Sequence, residues 1–211
     1  MTFFEWLPQR AKGKLPGRDA HKRFIPALRD AESRLSAPPP TARQSAVLVP
    51  LIESDTGIDV VLTVRSESLS NHSGQISFPG GRLDDYETPE QAAAREAFEE
   101  IGVPLSDINV MCLLSELYIP PSNSAVTPIV AQLPSDSSWV VNPQEVTEVF
   151  TKPLSCFLDN TLFVERKGVI ANVPIAVPTW NVHPTIPLWG ATAMILHEVV
   201  VLYNEYLSYD Q

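Results

Sequence analysis

The chain is short of the residues that mark several large protein classes. It holds two cysteines, Cys112 and Cys156, with neither CxxC nor metal-ligand spacing. That argues against a disulfide scaffold or a zinc module as the organising device. Both lie in apolar stretches and read as buried free thiols. No apolar run approaches the roughly 18 residues of a membrane span. The opening MTFFEWLPQRAKGK places aromatics before basic residues, the reverse of a secretory signal, so cytoplasm is the expected location. Cations are scarce: 15 Lys and Arg stand against 25 Asp and Glu, a net charge of −10. Such a surface repels a phosphate backbone, which argues against nucleic acid as a partner. An acidic protein that acts on a phosphate needs a cation between the two. Beyond one proline triplet there is no low-complexity run, and there is no internal repeat.

The 211 residues suit one globular domain behind an N-terminal extension. His21 to Leu35 reads as a helix, broken at or containing Pro26, and SAPPPTARQ as an extended linker. Residues 1–44 are therefore expected as a helical extension with a Pro-rich linker, and 45–211 as the main domain. Ser45–Ile52 and Ile58–Arg65 read as two hairpin strands around ESDTG. Val110–Leu117 and Ala125–Leu133 are strand-like, and a late hairpin is expected around Gly168. Trp189–Leu207 has helical apolar spacing and no proline. Strands and helices without regular alternation indicate an α+β class.

The densest signal is FPGGRLDDYETPEQAAAREAFEEIGV, Phe78 to Val103. Thr88 can cap a helix, Pro89 suits its first position, Gln91 completes a capping box and Gly102 stops it. The spacing predicts a helix over Pro89–Ile101 with Ala94, Ala97, Phe98 and Ile101 on an apolar stripe and Glu96, Glu99 and Glu100 opposite. Like charges at i,i+4 in a last turn oppose each other and the helix dipole. A divalent cation relieves both conflicts, since hard cations take carboxylate oxygens together with substrate phosphates. The glycines before the helix permit close backbone approach, and Glu87 and Arg95 can pair to brace the loop.

From Gly81 the order is Gly, five residues, Glu87, seven residues, then Arg95-Glu96-Ala97-Phe98-Glu99-Glu100-Ile101-Gly102-Val103. This resembles the Nudix box at every fixed position, with Ala97 smaller than the bulky aliphatic often found there. The resemblance implies a Nudix fold, an α/β/α sandwich with a mixed β-sheet. It implies hydrolysis of a nucleoside diphosphate linked to another moiety, with Mg²⁺ or Mn²⁺. By position it makes Glu96 and Glu100 the principal metal ligands, Glu99 a further ligand and the Gly80 carbonyl a backbone ligand. Glu87 and Arg95 become structural support. The general base is Glu99 or a glutamate from a later loop, Glu145 or Glu148.

LTVRSESLSNHSGQISFPGG, Leu62 to Gly81, also resembles the extra motif of the coenzyme A diphosphatase branch, as do NPQEVTEVF and LWGATA. The resemblance implies CoA or acyl-CoA as substrate, with Arg65, Ser66, His72 and Arg82 as candidate substrate-binding residues. The branch has an arginine where this chain has Ser70. That departure keeps a broader diphosphatase acting on ADP-ribose or NADH as an alternative. A non-catalytic nucleotide sensor is the other alternative, opposed by the intact carboxylates. The expected partner is a small nucleotide, with a homodimer as an open oligomeric state. Trp180, Trp189, His21, His183 and His197 read as structural.

Overall fold

The computed structural model describes residues 1–26, 37–69, 72–170 and 173–209. Most of the helix expected over His21–Leu35, and Ser70, lie outside them. Helices α1 (Phe3–Arg10) and α2 (Gly17–His21) open the chain, and a 3₁₀ turn over Lys22–Phe24 follows. A turn closed by the Ala42 N–H donating to the Pro39 carbonyl leads into β1 (Arg43–Ser54). Then come β2 (Gly57–Arg65), β3 (Ile76–Ser77), β4 (Gly80–Arg82), α3 (Pro89–Ile101), β5 (Asn109–Leu113), β6 (Leu117–Ile119), β7 (Ser124–Leu133), β8 (Val146–Pro153), β9 (Phe163–Ile170), β10 (Val173–Trp180), β11 (Leu188–Trp189) and α4 (Gly190–Tyr209).

The main sheet runs β3-β2-β1-β7-β5, with β4 added to β1, β6 to β7 and β8 to β2. The β1–β7 pairing is parallel and the others are antiparallel, so the sheet is mixed. A second sheet joins β9, β10 and β11. Alternation along β1 sends Ala46 and Leu48 toward α3, and Val49 and Leu51 toward α4. The result is a three-layer α/β/α sandwich, as the sequence predicts. Phe3, Phe4, Trp6 and Leu7 of α1 join the core on the α4 side, where Phe3 meets Tyr203 edge-on at 5.3 Å. Trp180 is buried between Phe24 and Phe157 at 4.2 and 4.8 Å.

One buried carboxylate joins three separate segments. Glu198 of α4 is inaccessible to solvent and His21 is 2% exposed. Glu198 Oε2 lies 2.9 Å from His21 Nε2. Its Oε1 accepts from the Gly17 N–H at 3.0 Å and from Ser115 Oγ at 2.7 Å. Beside it, His197 Nδ1 lies 2.7 Å from the Ala20 carbonyl. The N-terminal flank is thus bonded to α4 and to the segment that leads into β6.

Three sequence expectations need correction. Gly168 is not the turn of the late hairpin: it lies within β9 opposite Ile175. Cys112 is half-buried and Cys156 is exposed, although both are free. Cys156 sits in a 3₁₀ turn whose Leu154 and Phe157 take the inward positions. On α3 the buried residues are Ala92, Ala93, Ala97, Glu100 and Ile101, while Phe98 is 53% exposed. Glu100 lies three residues from Ala97 and seven from Ala93, on one helical face with them. One of the three carboxylates therefore enters the protein.

Candidate active site

The Pro-Gly-Gly turn and α3 are locked together by lack of space. A Cβ on Gly81 would overlap the Glu96 carboxylate, and one on Gly80 would overlap the Ala46 carbonyl and lie 2.6 Å from Val47 Cα. Leu48 donates to the Pro79 carbonyl and Leu83 to the Gln44 carbonyl. In the alternating antiparallel pattern these bonds make Val47↔Gly80 a non-hydrogen-bonded pair. The Gly80 N–H and C=O therefore point away from β1, the N–H toward the Glu100 carboxylate. Gly81→Ala is expected to displace the Glu96 side chain and remove most turnover, which steady-state kinetics would measure. Near-normal activity would show that the Glu96 position is unimportant.

Three carboxylates converge behind this turn. One oxygen each from Glu96, Glu100 and Glu145 lies within 4.8 Å of the others. Glu145 is held there by its backbone. Its N–H donates to the Asn142 carbonyl and its carbonyl accepts from Ser66. The Val140 and Asn142 amides donate to the Ile101 and Glu100 carbonyls, which otherwise end α3 without partners. Burial pushes the Glu100 carboxyl up to about 8; Arg65 pulls against this, while Glu96 adds to it. Burial likewise raises Glu96, against the opposing hydrogen bond from Arg95. Arg65 Nη1 is 3.8 Å from Glu100 Oε1. Arg65 Nε and Glu100 Oε2 are both buried without hydrogen-bond partners among the described residues.

Arg95 organises the other side of the turn. Its Nε and Nη2 donate to the two Glu87 oxygens at 2.8 and 3.0 Å. Nη2 also reaches the Arg82 carbonyl at 3.0 Å. Nη1 is shared between Glu96 Oε1 at 2.9 Å and Glu99 Oε2 at 3.1 Å. The bidentate bond from Arg95 and the Asp84 amide hold the Glu87 carboxyl down at about 2. Glu87→Gln is expected to lower the thermal midpoint more than it weakens cation binding, because it faces Arg95 rather than the three-carboxylate group. A loss of cation affinity with an unchanged midpoint would reverse that assignment.

Residues 42–155 match the NUDIX domain family. A Caenorhabditis elegans protein named Nudix hydrolase 3 is 31% identical over 207 residues, covering 89% of this chain and 86% of its own. The NudL Nudix hydrolase of Escherichia fergusonii is 36% identical over 168 residues, covering 75% of this chain and 82% of its own. The chain is a Nudix hydrolase. In fold it is similar to the Nudix hydrolase RenU of M. smegmatis, with a TM-score of 0.55 and 21% identity over 78% of this chain and 87% of that one. Its activity is hydrolysis of a nucleoside diphosphate linked to another group, and Nudix hydrolases work with divalent cations.

The donor set of this Nudix site fits such a cation. Three carboxylates supply hard oxygens. The orphaned Glu100 Oε2 is a buried acceptor that lacks a donor among the described residues. The other residues of interest distribute unevenly. Glu99 is half-exposed and stands outside the three-carboxylate group, sharing Arg95 Nη1 with Glu96. Glu148 faces elsewhere: it pairs in register with Val64, whose side chain is in the α4-side core, and its carboxylate lies 3.2 Å from His183 Nε2. Ser66 is buried, and its hydroxyl is 2.8 Å from that of Ser68. His72 is exposed, left-handed at φ 55°, with Nδ1 3.1 Å from Gln75 Oε1. Among the described residues no helix is long and apolar enough to cross a membrane.

Proposed function

We propose that the protein hydrolyses the diphosphate of CoA or acyl-CoA in the cytoplasm, giving 3′,5′-ADP and a 4′-phosphopantetheine. The observation that carries this reading is the junction of the two sequence motifs. Arg65 and Ser66, from the segment resembling the CoA branch, meet Glu100 and the Glu145 backbone of the carboxylate site. In this reading Glu96, Glu100, Glu145 and the Gly80 carbonyl hold Mg²⁺ or Mn²⁺. The bound ion supplies neutralisation of the diphosphate oxygens and acidification of water. Water adds to one phosphorus, the bridging P–O bond breaks, and each product leaves with one phosphate. Glu99 takes the proton from water, and Arg65 Nε donates to a diphosphate oxygen. Arg95 and Glu87 keep Glu96 and Glu99 in place.

A broader diphosphatase is the second reading, favoured by Ser70 where the CoA branch has an arginine. Losing one charge-assisted hydrogen bond worth about 1.5–3 kcal/mol weakens CoA use roughly ten- to a hundredfold without abolishing it. The test is a panel of CoA, ADP-ribose, NADH and a diadenosine polyphosphate, with Mg²⁺ or EDTA, for wild type and Ser70→Arg. CoA cleavage that needs Mg²⁺ and rises more than ADP-ribose cleavage in Ser70→Arg is expected. Good ADP-ribose cleavage with no CoA cleavage in either protein would replace the CoA reading with the broader one.

A further inference from the structure

We infer that the outer edge of β9 docks a second copy of this chain, the two β9 strands pairing antiparallel about a two-fold axis at Arg166. The second sheet has the order β11-β10-β9, so β9 forms one of its edges. The Asn181 N–H donates to the Leu162 carbonyl, one step beyond the Phe163↔Trp180 pair. Hydrogen-bonded pairs alternate along an antiparallel ladder. Val164, Arg166 and Gly168 therefore bond to β10, while the N–H and C=O groups of Glu165, Lys167 and Val169 point outward. Among the described residues no hydrogen bond uses these outward groups.

The opposite edge of the same sheet is closed by its composition. β10 pairs with β11 only at Thr179 and Trp180. Beyond them the outward positions of β10 are Pro178, Ala176 and Pro174, by the same alternation. The two prolines have no N–H to offer a further strand. Proline at such positions is one means by which sheets resist edge-to-edge pairing. β9, FVERKGVI, contains no proline and keeps its row of donors. Charged side chains are another such means, and β9 carries Glu165, Arg166 and Lys167, all exposed. Their order decides whether they repel a second β9 or select one.

In a two-fold antiparallel pairing, outward-pointing residues must stand opposite outward-pointing residues. With the axis at Arg166, Glu165 faces Lys167 of the partner subunit, and Lys167 faces Glu165 of the partner subunit. Phe163 faces Val169 of the partner subunit, and the reverse. Opposite charges across such a pair stabilise it, and like charges destabilise it. Moving the axis one residue either way sets Glu165 against its own copy, or Lys167 against its own copy. The charges therefore favour one register over its neighbours. Val169 is 69% exposed, and this register gives it an apolar neighbour. Arg166 meets its own copy at the axis, but its Nη2 is turned back to Asn181 Oδ1 at 2.8 Å, away from the edge. The two three-stranded sheets then continue as one.

Sedimentation equilibrium of the full chain tests this, with wild type, Glu165→Lys, Lys167→Glu and the double exchange of both residues. Wild type is expected to show a reversible monomer–dimer equilibrium. Each single change sets like charges opposite each other at two places and is expected to weaken the dimer on the order of tenfold or more. The double exchange is expected to restore it, because opposite charges face each other again. An equimolar mixture of the two single variants is expected to form a heterodimer for the same reason. Diphosphatase turnover by the single variants should match wild type, since β9 contributes no residue to the carboxylate site. A wild type that stays monomeric at its highest soluble concentration would overturn the inference. So would a dimer that neither single change weakens, or one that neither the double exchange nor the mixture recovers.

Discussion

Glu100→Gln is expected to lower kcat by on the order of 10²–10³-fold, the scale of losing one preorganised electrostatic group at a reacting centre. The same change should leave the thermal midpoint of the cation-free protein unchanged or higher. Glu100 is 2% exposed, and burial pushes its carboxyl up to about 8 beside Glu96 and Glu145. A neutral amide of the same shape removes a charge that the fold alone disfavours. Activity and stability then move in different directions, the mark of a group kept for function. A purely structural Glu100, held by Arg65, predicts the opposite: intact turnover and a lower midpoint. Kinetics at saturating Mg²⁺ and a melting curve in EDTA, on the same preparation, decide between the two.

Glu198→Ala is expected to give the largest loss of stability, about 3–5 kcal/mol, because it removes the acceptor at the centre of a buried hydrogen-bonded group and strands its donors. The His21 ring, the Ser115 hydroxyl and the Gly17 N–H would each lose their acceptor. Chemical denaturation measures this, and a loss below about 1 kcal/mol would show that water replaces the carboxylate. Burial alone would raise the Glu198 pKa, but the bonds from His21, Ser115 and Gly17 outweigh it, and the pKa falls below its ordinary 4.5. A carboxyl with a folded pKa below its unfolded one stabilises the fold above the unfolded value. That contribution is lost as the pH falls from about 4.5 through the folded pKa. Wild type should therefore lose stability over that acid range more steeply than Glu198→Ala.

What was legible in the sequence was local. The cap at Thr88, the proline at Pro89 and the stop at Gly102 gave α3 its observed ends, with the capping box closed and Gly102 at φ 72°. Two apolar stretches around the ESDTG turn cluster gave the β1–β2 hairpin, and the Glu87–Arg95 pair followed from charge and spacing. What depended on tertiary packing was not legible. Phe98 reads as core by type, yet Ala93 and Ala97 are the residues small enough to let α3 approach the sheet, and Phe98 turns outward. Glu145 and Glu148 are equivalent in the sequence. Glu145 lies in the turn before β8, held by Asn142 and Ser66 beside Glu100, whereas Glu148 lies within the strand opposite Val64 and meets His183. His21 and Glu198 are 177 residues apart. The available hint was the single charge in MILHEVVVLY, since a carboxylate in an apolar helix needs a partner.

Mn²⁺ binding followed by electron paramagnetic resonance, in wild type and in the glutamine variants of Glu96, Glu99, Glu100 and Glu145, tests the central claim most directly. Wild type is expected to bind Mn²⁺, and the variants at Glu96, Glu100 and Glu145 are each expected to lose on the order of tenfold or more in affinity. Glu99→Gln is expected to keep its affinity while its kcat falls. Unchanged Mn²⁺ affinity in Glu100→Gln and Glu145→Gln would contradict it.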